Sequence, residues 1–320
     1  MKKIISIVLM LLISFSPVTG KADSQLGTVY EIPADGVVIK GGSGGSQRYY
    51  NDGKNIVYYY DNNIFVDDGD ITELATGNSF FVVGSKIISY GYFEAEKKYS
   101  WYSYDLQAKK IKYSVLPIDT SIIWSDDKGV YYEKFDSKNL MYLNLQTGKS
   151  KTICKMPGQI RGILNDGSAV FINFAQRQII SVKNKKQTIL YKGNVNLRDA
   201  TVVGDKVYVS RTEGLYRIDG KNRLTQLYGR YSPIVAQSGN CFVTAMTNNE
   251  NNDLMGDIIL YINYNDKHAK LGECSTANLE AHATSATFSH NGTGIILTSY
   301  TTADDFRFDI PPYYEWDTFN

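Results

Sequence analysis

The sequence predicts an all-β chain that folds as a single β-propeller. A strand-turn-strand unit recurs seven times, and successive units begin about 31 to 53 residues apart, which brackets the length of a propeller blade. No stretch of the mature chain shows the sustained apolar spacing of three and four that a helix requires. We count seven four-stranded blades. Six or eight also fit, because the wide interval after Gly239 has room for an irregular blade.

The seven units share one order of elements. In the fifth unit, from Gly204 to Tyr228, GDKVYVSRTEGLYRIDGKNRLTQLY gives a turn, an alternating strand, a second strand, a Gly turn and a third strand. A further apolar run precedes most turns, such as SFFVV before Gly84 and ATVV before Gly204, which makes four strands per unit. The turns lie in chain order at Gly53, Gly84, Asp127, Gly167, Gly204, Gly239 and Gly292.

The N-terminal residues predict an export signal. Lys2 and Lys3 precede an apolar run from Ile4 to Phe15, and small residues follow at Gly20 and Ala22. We therefore assign residues 1–22 to a Sec-type signal peptide and residues 23–320 to one propeller domain, with no stable membrane insertion after cleavage. The expected location is the periplasm or the cell exterior. An uncleaved N-terminal anchor is the alternative.

Charge and cysteine content argue against nucleic-acid binding and against a metal site, and they limit the number of disulfides. Lys plus Arg (34) nearly equals Asp plus Glu (33), so the net charge of +1 gives no electrostatic argument for nucleic acid. The three cysteines, Cys154, Cys241 and Cys274, allow at most one internal disulfide. Cys241 with Cys274 is the one pair we consider, and three small buried apolar residues are the alternative. The spacing matches no metal site, and we expect no cofactor.

Closure of the ring is the next requirement, because an open ring leaves two sheet edges exposed. The last unit supplies strands near 285–288, 295–300 and 306–310, and Pro311-Pro312 then interrupts the pattern. The segment from Thr28 to Lys40 has strand character and no partner of its own. We expect this N-terminal segment to complete the last blade.

The repeats resemble those of TolB-like and YWTD-type bacterial propellers. The resemblance rests on a Gly turn followed by a tyrosine-rich strand, as in KNIVYYYD and GVYYEKFD, and on LYRIDG. It covers nearly all of the mature chain at the level of the fold. The YWTD tetrapeptide, the GH and WD pairs of WD40 repeats and the paired Gly of kelch are missing. The resemblance implies a scaffold used mainly for binding, and sometimes for catalysis in the central channel.

Three sequence motifs resemble catalytic or metal-binding motifs but have simpler structural interpretations. Gly41 to Gly45 matches the G-x-S-x-G elbow of serine hydrolases, yet no helix follows Ser43, so we interpret it as a flexible connector. Asp67-Asp68-Gly69-Asp70 lacks the ligand spacing of a calcium loop and predicts a hairpin turn. The histidines cluster near the C-terminus, with Glu280 beside them, and we favour solvated loop residues over an active site; they are His268, His282 and His290.

Two features are candidates for binding. A polar insertion lengthens one connection of the sixth unit, and long loops on rigid scaffolds are where recognition tends to lie; this possible partner-binding loop comprises Asn248, Asn249, Glu250, Asn251, Asn252 and Asp253. The second unit carries an aromatic series that could stack on sugar or peptide, although at least half of it must pack between blades; it comprises Tyr90, Tyr92, Tyr99, Trp101, Tyr102 and Tyr104.

The predicted function is that of an exported, non-enzymatic propeller, a monomer that binds a protein or glycan partner at the bacterial cell envelope. One alternative is a lyase or hydrolase that acts on polysaccharide in the central channel. Another is a periplasmic immunity or chaperone-like protein. No catalytic residue emerges from the sequence, because no set of ionisable side chains recurs at equivalent strand positions.

Removal of residues 28–40 should lower the free energy of unfolding by several kcal/mol, because it would expose a blade edge and the apolar face beneath it. Urea denaturation of the truncated and intact mature chains measures the difference. Equal stability of the two would show that this segment does not close the ring.

Overall fold

The computed structural model contains β-strands and no helix in the part of the chain that it describes. That part comprises residues 49–51, 54–60, 63–77, 79–93, 97–193, 197–238, 241–247, 257–264, 266–275, 285–288, 294–298, 305–309 and 317–318. The strands form seven antiparallel sheets that follow one another along the chain, as blades of a propeller do.

The strands of each blade are consecutive in sequence. Blade 1 contains β1 (Tyr49–Asn51), β2 (Ile56–Tyr60), β3 (Asn63–Asp67) and β4 (Ile71–Thr76). Blade 2 contains β5 (Phe81–Val83), β6 (Lys86–Phe93), β7 (Lys98–Asp105) and β8 (Lys110–Tyr113). Blade 3 contains β9 (Thr120–Ser125), β10 (Gly129–Lys134), β11 (Asn139–Asn144) and β12 (Ser150–Lys155). Blade 4 contains β13 (Gln159–Ile163), β14 (Ala169–Asn173), β15 (Gln178–Lys183) and β16 (Lys186–Lys192).

The remaining blades continue the same order. Blade 5 contains β17 (Leu197–Val203), β18 (Lys206–Arg211), β19 (Gly214–Gly220) and β20 (Arg223–Tyr228). Blade 6 contains β21 (Ile234–Ser238), β22 (Cys241–Thr247), β23 (Asp257–Tyr264) and β24 (Lys267–Ser275). Blade 7 contains β25 (Ser285–Phe288), β26 (Gly294–Thr298) and β27 (Asp305–Asp309). The short β28 (Asp317–Thr318) pairs with β24 as a fifth strand of blade 6.

The first strand of each blade is the inner one, because first strands of successive blades contact each other from β5 through β9, β13, β17 and β21 to β25. We name the strands of a blade A to D from the inside outwards. The B–C turns and the D–A connections between blades then lie at one end of the strands, the BC face. The A–B and C–D turns lie at the opposite end, the AB face.

The hydrophobic core consists of separate layers between neighbouring blades. Strand β14 shows how one sheet serves two layers, because its alternate residues point in opposite directions. Val170 and Ile172 pack against blade 5, whereas Ala169 and Phe171 pack against blade 3. Equivalent layers join blades 1 and 2, blades 2 and 3, and blades 5 and 6. Because both faces of these strands are buried, some of the strands are continuous apolar runs and do not alternate between apolar and polar residues.

A β-bulge recurs where the outer strand D pairs with strand C. The cross-strand register passes over one residue of the outer strand in five blades; these residues are Leu74, Ile153, Leu190, Leu227 and Leu271. Each is aliphatic, and the next residue is buried in every case, as in Cys154 and Tyr191. A bulge bends its strand and increases the local twist. The bulge therefore turns two consecutive residues towards the interior at the edge of each of these blades.

Turns on the AB face are shaped by Asp and Asn side chains that accept hydrogen bonds from nearby backbone amides. Asp126 accepts from Lys128 and Gly129, and Asp105 accepts from Gln107. The predicted hairpin at Asp67-Asp68-Gly69-Asp70 is of this kind, since the Gly69 amide donates to Asp67 Oδ1 at 3.0 Å. Asp68 then forms an ion pair with Lys109 of blade 2 at 2.7 Å. These carboxylates shape turns and connect blades.

The strand predictions agree with the structure except at two places. The first strand of blade 1, β1, was not predicted, because YYN is short and follows the Gly-rich connector. The C-terminal β28 was not predicted either, and it adds to blade 6. The proposed closing segment, 28–40, lies outside the described residues, so its place in blade 7 stays a prediction.

The Cys241–Cys274 disulfide is excluded by strand register. Cys241 lies opposite Tyr264 on β23, whereas Cys274 lies opposite Ile258 on the other side of the same strand. Six residues along a strand correspond to roughly 20 Å, far beyond the Cα separation of a disulfide. Cys154 and Cys241 are both free and buried, as the alternative interpretation expects.

Replacement of Gly162 by Ala should destabilise the fold, because the inner strands of blades 4 and 5 approach closely there. An added Cβ would lie 2.7 Å from Val202 Cβ, and Gly162 has a φ of +150°. We expect a loss of about 1–3 kcal/mol in the free energy of unfolding, measured by chemical denaturation.

The matched control is Gly229→Ala, where the nearest atom, Gln226 Nε2, lies at an ordinary contact distance of 3.6 Å. This substitution should change stability by less than about 0.5 kcal/mol. Equal effects of the two substitutions would contradict the close approach at Gly162.

Candidate functional site

Exposed apolar side chains concentrate on the BC face. In the described part of the chain, five of the seven exposed large hydrophobic residues lie at this end of the strands; they are Tyr90, Tyr99, Ile118, Phe135 and Phe174. They belong to blades 2, 3 and 4 and the connections between them. We call this set the apolar arc. Contiguous exposed apolar surface on a folded domain marks an interaction site more often than scattered single residues do.

The blade 2 end of the apolar arc is an aromatic cluster. The rings of Tyr90 and Tyr99 stack with centroids 5.7 Å apart, and Tyr92 contacts Tyr99 at 5.1 Å. Trp101 lies below them and donates its Nε1–H to Thr120 O of blade 3 at 3.3 Å. Trp101 is buried, whereas 59% of Tyr99 is exposed. The cluster is therefore anchored between blades at its base and open to solvent at its tip.

The predicted aromatic series of the second unit separates into two groups. Trp101, Tyr102 and Tyr104 are buried between blades, which confirms that at least half of the series forms core. Tyr90 and Tyr99 are the exposed members. They remain candidates for contact with a partner.

The middle of the apolar arc comes from turns that sequence inspection did not single out. Phe135 follows β10 directly and Phe174 follows β14 directly, so each is the first residue of a B–C turn. The Phe135 amide donates to Asp119 O at 2.9 Å, which places Phe135 beside Ile118 of the preceding connection. Phe135 is 70% exposed. An apolar residue at the start of a polar turn was the available signal, as in YYEKFD and FINFAQ.

An ion pair lies on the inner strands beside Phe174. Arg161 Nε on β13 is 2.7 Å from Asp199 Oδ1 on β17, so the pair joins blades 4 and 5 across the channel wall. The Arg161 guanidinium also lies 5.9 Å from the centre of the Phe174 ring, within cation–π range. Arg161 occupies a β-bulge, since the register between β13 and β14 passes over it. Such bulges redirect side chains next to functional sites.

Charge on the described inner strands is confined to this sector. The seven A strands contain Arg161, Arg198 and Asp199 as their charged residues, all on β13 and β17 near the BC face. The pKa of the Asp199 carboxyl is raised, mainly because the group is removed from water by burial. The Arg161 charge and a hydrogen bond from the Ala200 amide lower this pKa, but they offset the effect of burial only in part. Burial also raises the pKa of Tyr231, which the Asp199 charge raises further and the Arg198 charge lowers. We call Arg161, Arg198, Asp199 and Tyr231 the channel-mouth cluster.

This arrangement is suited to recognition. The channel-mouth cluster offers guanidinium groups to an anion, and the neighbouring apolar arc offers hydrophobic contact. Within the described ranges, no three His, Cys, Asp or Glu residues lie together as metal ligands would. Those ranges also contain no helix with the length and apolarity needed to span a membrane.

Other predicted site residues lie elsewhere. His268 is within β24, near the AB face, where its ring packs edge-on against Tyr228 and Tyr261 at 5.5 and 5.6 Å. The expectation of a solvated loop histidine is therefore wrong for His268. His282, His290 and Ser43 lie outside the described residues, as does the insertion 248–253. Strand β22 ends at Thr247 and strand β23 begins at Asp257, and both of these strand ends lie on the BC face.

Comparison with known proteins supports the fold and leaves the function open. No protein-family model and no curated protein matches the chain. Among solved structures, the β-propeller domain of Myceliophteria thermophila Cps50 (Swd1) aligns with a TM-score of 0.50 at 10% identity, covering 90% of this chain and 99% of that one. TolB from Acinetobacter baumannii aligns with a TM-score of 0.46 at 14% identity, covering 85% and 80%.

The β-propeller fold is confirmed by the seven-sheet topology together with the match to Cps50. The resemblance to TolB-like propellers holds at the level of the fold. At 10% identity such a match carries no residue-level correspondence, so the site has to be judged from its own geometry.

Native thiols should be largely unreactive, because burial raises the pKa of Cys154 to about 11 and that of Cys241 to about 12. A thiol-titrating disulfide reagent at mildly alkaline pH should modify at most one of the three cysteines in the native mature chain. After denaturation without reductant it should modify all three. If only one thiol reacted after denaturation, the other two cysteines would form a disulfide. The strand register that separates Cys241 from Cys274 would then be contradicted if these two were the pair.

Proposed function

We propose that the chain is an exported, non-enzymatic β-propeller that binds a protein or glycan partner at the cell envelope through its BC face. Export follows from the basic and apolar start of residues 1–22. The fold provides a rigid scaffold for this role, because blades 2 to 5 are each fixed by apolar layers on both sides. The mature chain is proposed to be a monomer that leaves the BC face available.

The observation that carries the proposal is the apolar arc. Large apolar side chains on a solvated surface are costly unless a partner covers them. The opposite face has one such residue among those described, Ile71 at the start of β4. The difference between the two faces supports the BC face as the binding face, and the strand ends Thr247 and Asp257, between which the insertion lies in sequence, are on that side.

The enzymatic alternative has one supporting observation, the raised pKa of Asp199 beside Arg161 in the channel mouth. Catalytic carboxyl groups often have pKa values raised in this way. A polysaccharide lyase or hydrolase would need this group to take up or deliver a proton. Depolymerisation of an acidic polysaccharide that disappears in Asp199→Asn would favour this alternative. A single stoichiometric partner of toxin or assembly-intermediate character would favour the immunity or chaperone-like alternative.

The double substitution Phe135→Ser, Phe174→Ser should weaken partner binding by about tenfold or more, equivalent to about 1.4 kcal/mol of lost contacts. Its melting temperature should stay near that of the unsubstituted protein, because both rings are exposed. The measurement is affinity capture from an envelope extract and on a glycan array, followed by titration of the captured partner.

Ile71→Ser is the matched control, since it removes an equally exposed apolar side chain from the AB face. This variant should bind the partner as the unsubstituted protein does. If Ile71→Ser lost partner binding and the double variant kept it, the AB face would be the binding face.

A further inference from the structure

We infer that the BC face of blades 3 to 5 binds an acidic, partly apolar segment of a protein partner, with its carboxylates on the arginines of the channel mouth. This inference rests on the proposed binding function and specifies the chemistry of the partner.

The first observation is a local excess of positive charge that the net charge of the chain conceals. Exposed cations occupy the connections and strand ends of the BC face in this sector; they are Lys134, Lys138, Lys155, Arg177, Lys192, Arg198 and Arg230. The acidic residues in the same positions are fewer; they are Asp119, Glu133, Asp136, Asp199 and Glu213. Asp199 and Glu213 are already paired, with Arg161 and Arg211. An acidic ligand would therefore meet a predominantly positive surface.

The AB face of the same blades also carries more exposed cations than acidic residues, including Lys128, Lys149 and Lys185. Several acidic residues of the AB face form ion pairs: Asp105 with Lys86 at 2.6 Å, and Asp166 with Lys183 at 2.8 Å. Asp266 accepts from Arg217 and lies 3.6 Å from Lys206, which joins blades 5 and 6. Positive charge is therefore common to both faces, and the BC face differs because its arginines lie beside the apolar arc.

The second observation is the kind of side chain that accompanies the charge. Arginine binds carboxylates through a planar, bidentate arrangement of donors. Arg198 is exposed on the inner strand β17 next to the Arg161–Asp199 pair. Phe135, Phe174 and Ile118 surround this sector with apolar surface. Arginine together with large apolar side chains is the composition of protein–protein contact surfaces.

A protein segment fits better than a glycan or a nucleic acid. Stacking on successive sugars or bases requires several open aromatic faces, whereas among the described residues of the apolar arc in this sector Phe135 has an open ring and the Phe174 ring has the Arg161 guanidinium over it. Ile118 has no ring to stack. A segment that alternates acidic and aliphatic residues matches both the cations and the apolar arc.

The test uses a fluorescent peptide built from Glu-Glu-Leu repeats and a matched peptide of Lys-Lys-Leu repeats, titrated with the mature protein by fluorescence anisotropy. Polygalacturonate and single-stranded DNA of similar charge serve as competing polyanions. The Glu-Glu-Leu peptide should bind with an affinity that falls as salt rises, and the Lys-Lys-Leu peptide should not bind.

The double substitution Lys155→Glu, Arg198→Glu should weaken peptide binding by tenfold or more. The control substitution Lys149→Glu, Lys186→Glu makes the same charge change at exposed residues of the AB face and should leave binding unchanged. Equal effects of the two variants, or no peptide binding at physiological salt, would overturn the inference. Polygalacturonate or DNA that binds as tightly as the peptide would also overturn it, in favour of a glycan or a nucleic acid.

Competition separates this inference from the proposed function. If the captured partner depends on Phe135 and Phe174 but is not displaced by the Glu-Glu-Leu peptide, the BC face is the binding face, but the inference that it binds an acidic segment is wrong. If neither substitution of the apolar arc nor the peptide affects capture, the proposed binding face is wrong as well.

Discussion

The structure depends on the burial of sheet faces between neighbouring blades. A four-stranded sheet with two apolar faces cannot remain solvated on either side, so it requires a blade before it and a blade after it. The layers from Val57 in blade 1 to Phe242 in blade 6 all meet that requirement. Strands such as β14 are almost fully buried, whereas outer strands such as β16 and β20 are largely exposed. The side chains that can vary freely therefore lie at the two ends of the strands and on the outer strands.

Much of this architecture can be predicted from sequence because it repeats. Strands such as β18 and β19 combine apolar alternation with Gly turns, and both signals depend on local chemistry alone. The A strands were also predictable, yet ATVV was identified without the preceding Leu-Arg-Asp, since charged residues argue against a buried strand. Those residues lie where β17 emerges at the channel mouth. The prediction therefore missed the end of a correctly located strand that carries the channel-mouth cluster.

The site was less predictable because it depends on which residues the ring brings together. Arg161 and Asp199 are far apart in sequence, and a β-bulge displaces Arg161 from the regular register of its strand. A bulge cannot be read from apolar periodicity, which it interrupts by one residue. The positive excess on the BC face was hidden in the same way, since a net charge of +1 sums all surfaces of the chain. The Cys241–Cys274 pairing failed because membership of one blade does not imply proximity along a strand.

The bulged outer strands have a consequence for behaviour in a crowded compartment. The D strand is the free edge of its blade, and a flat free edge invites pairing with strands of other molecules. A bulge at Leu74, Ile153, Leu190 and Leu227 curves that edge, while lysines such as Lys151 and Lys186 place charge along it. In blade 6 the first two residues of β24 pair with β28, a strand of the same chain. The outer edges of these blades are thus protected against self-association by curvature, by charge or by pairing with the C-terminal strand.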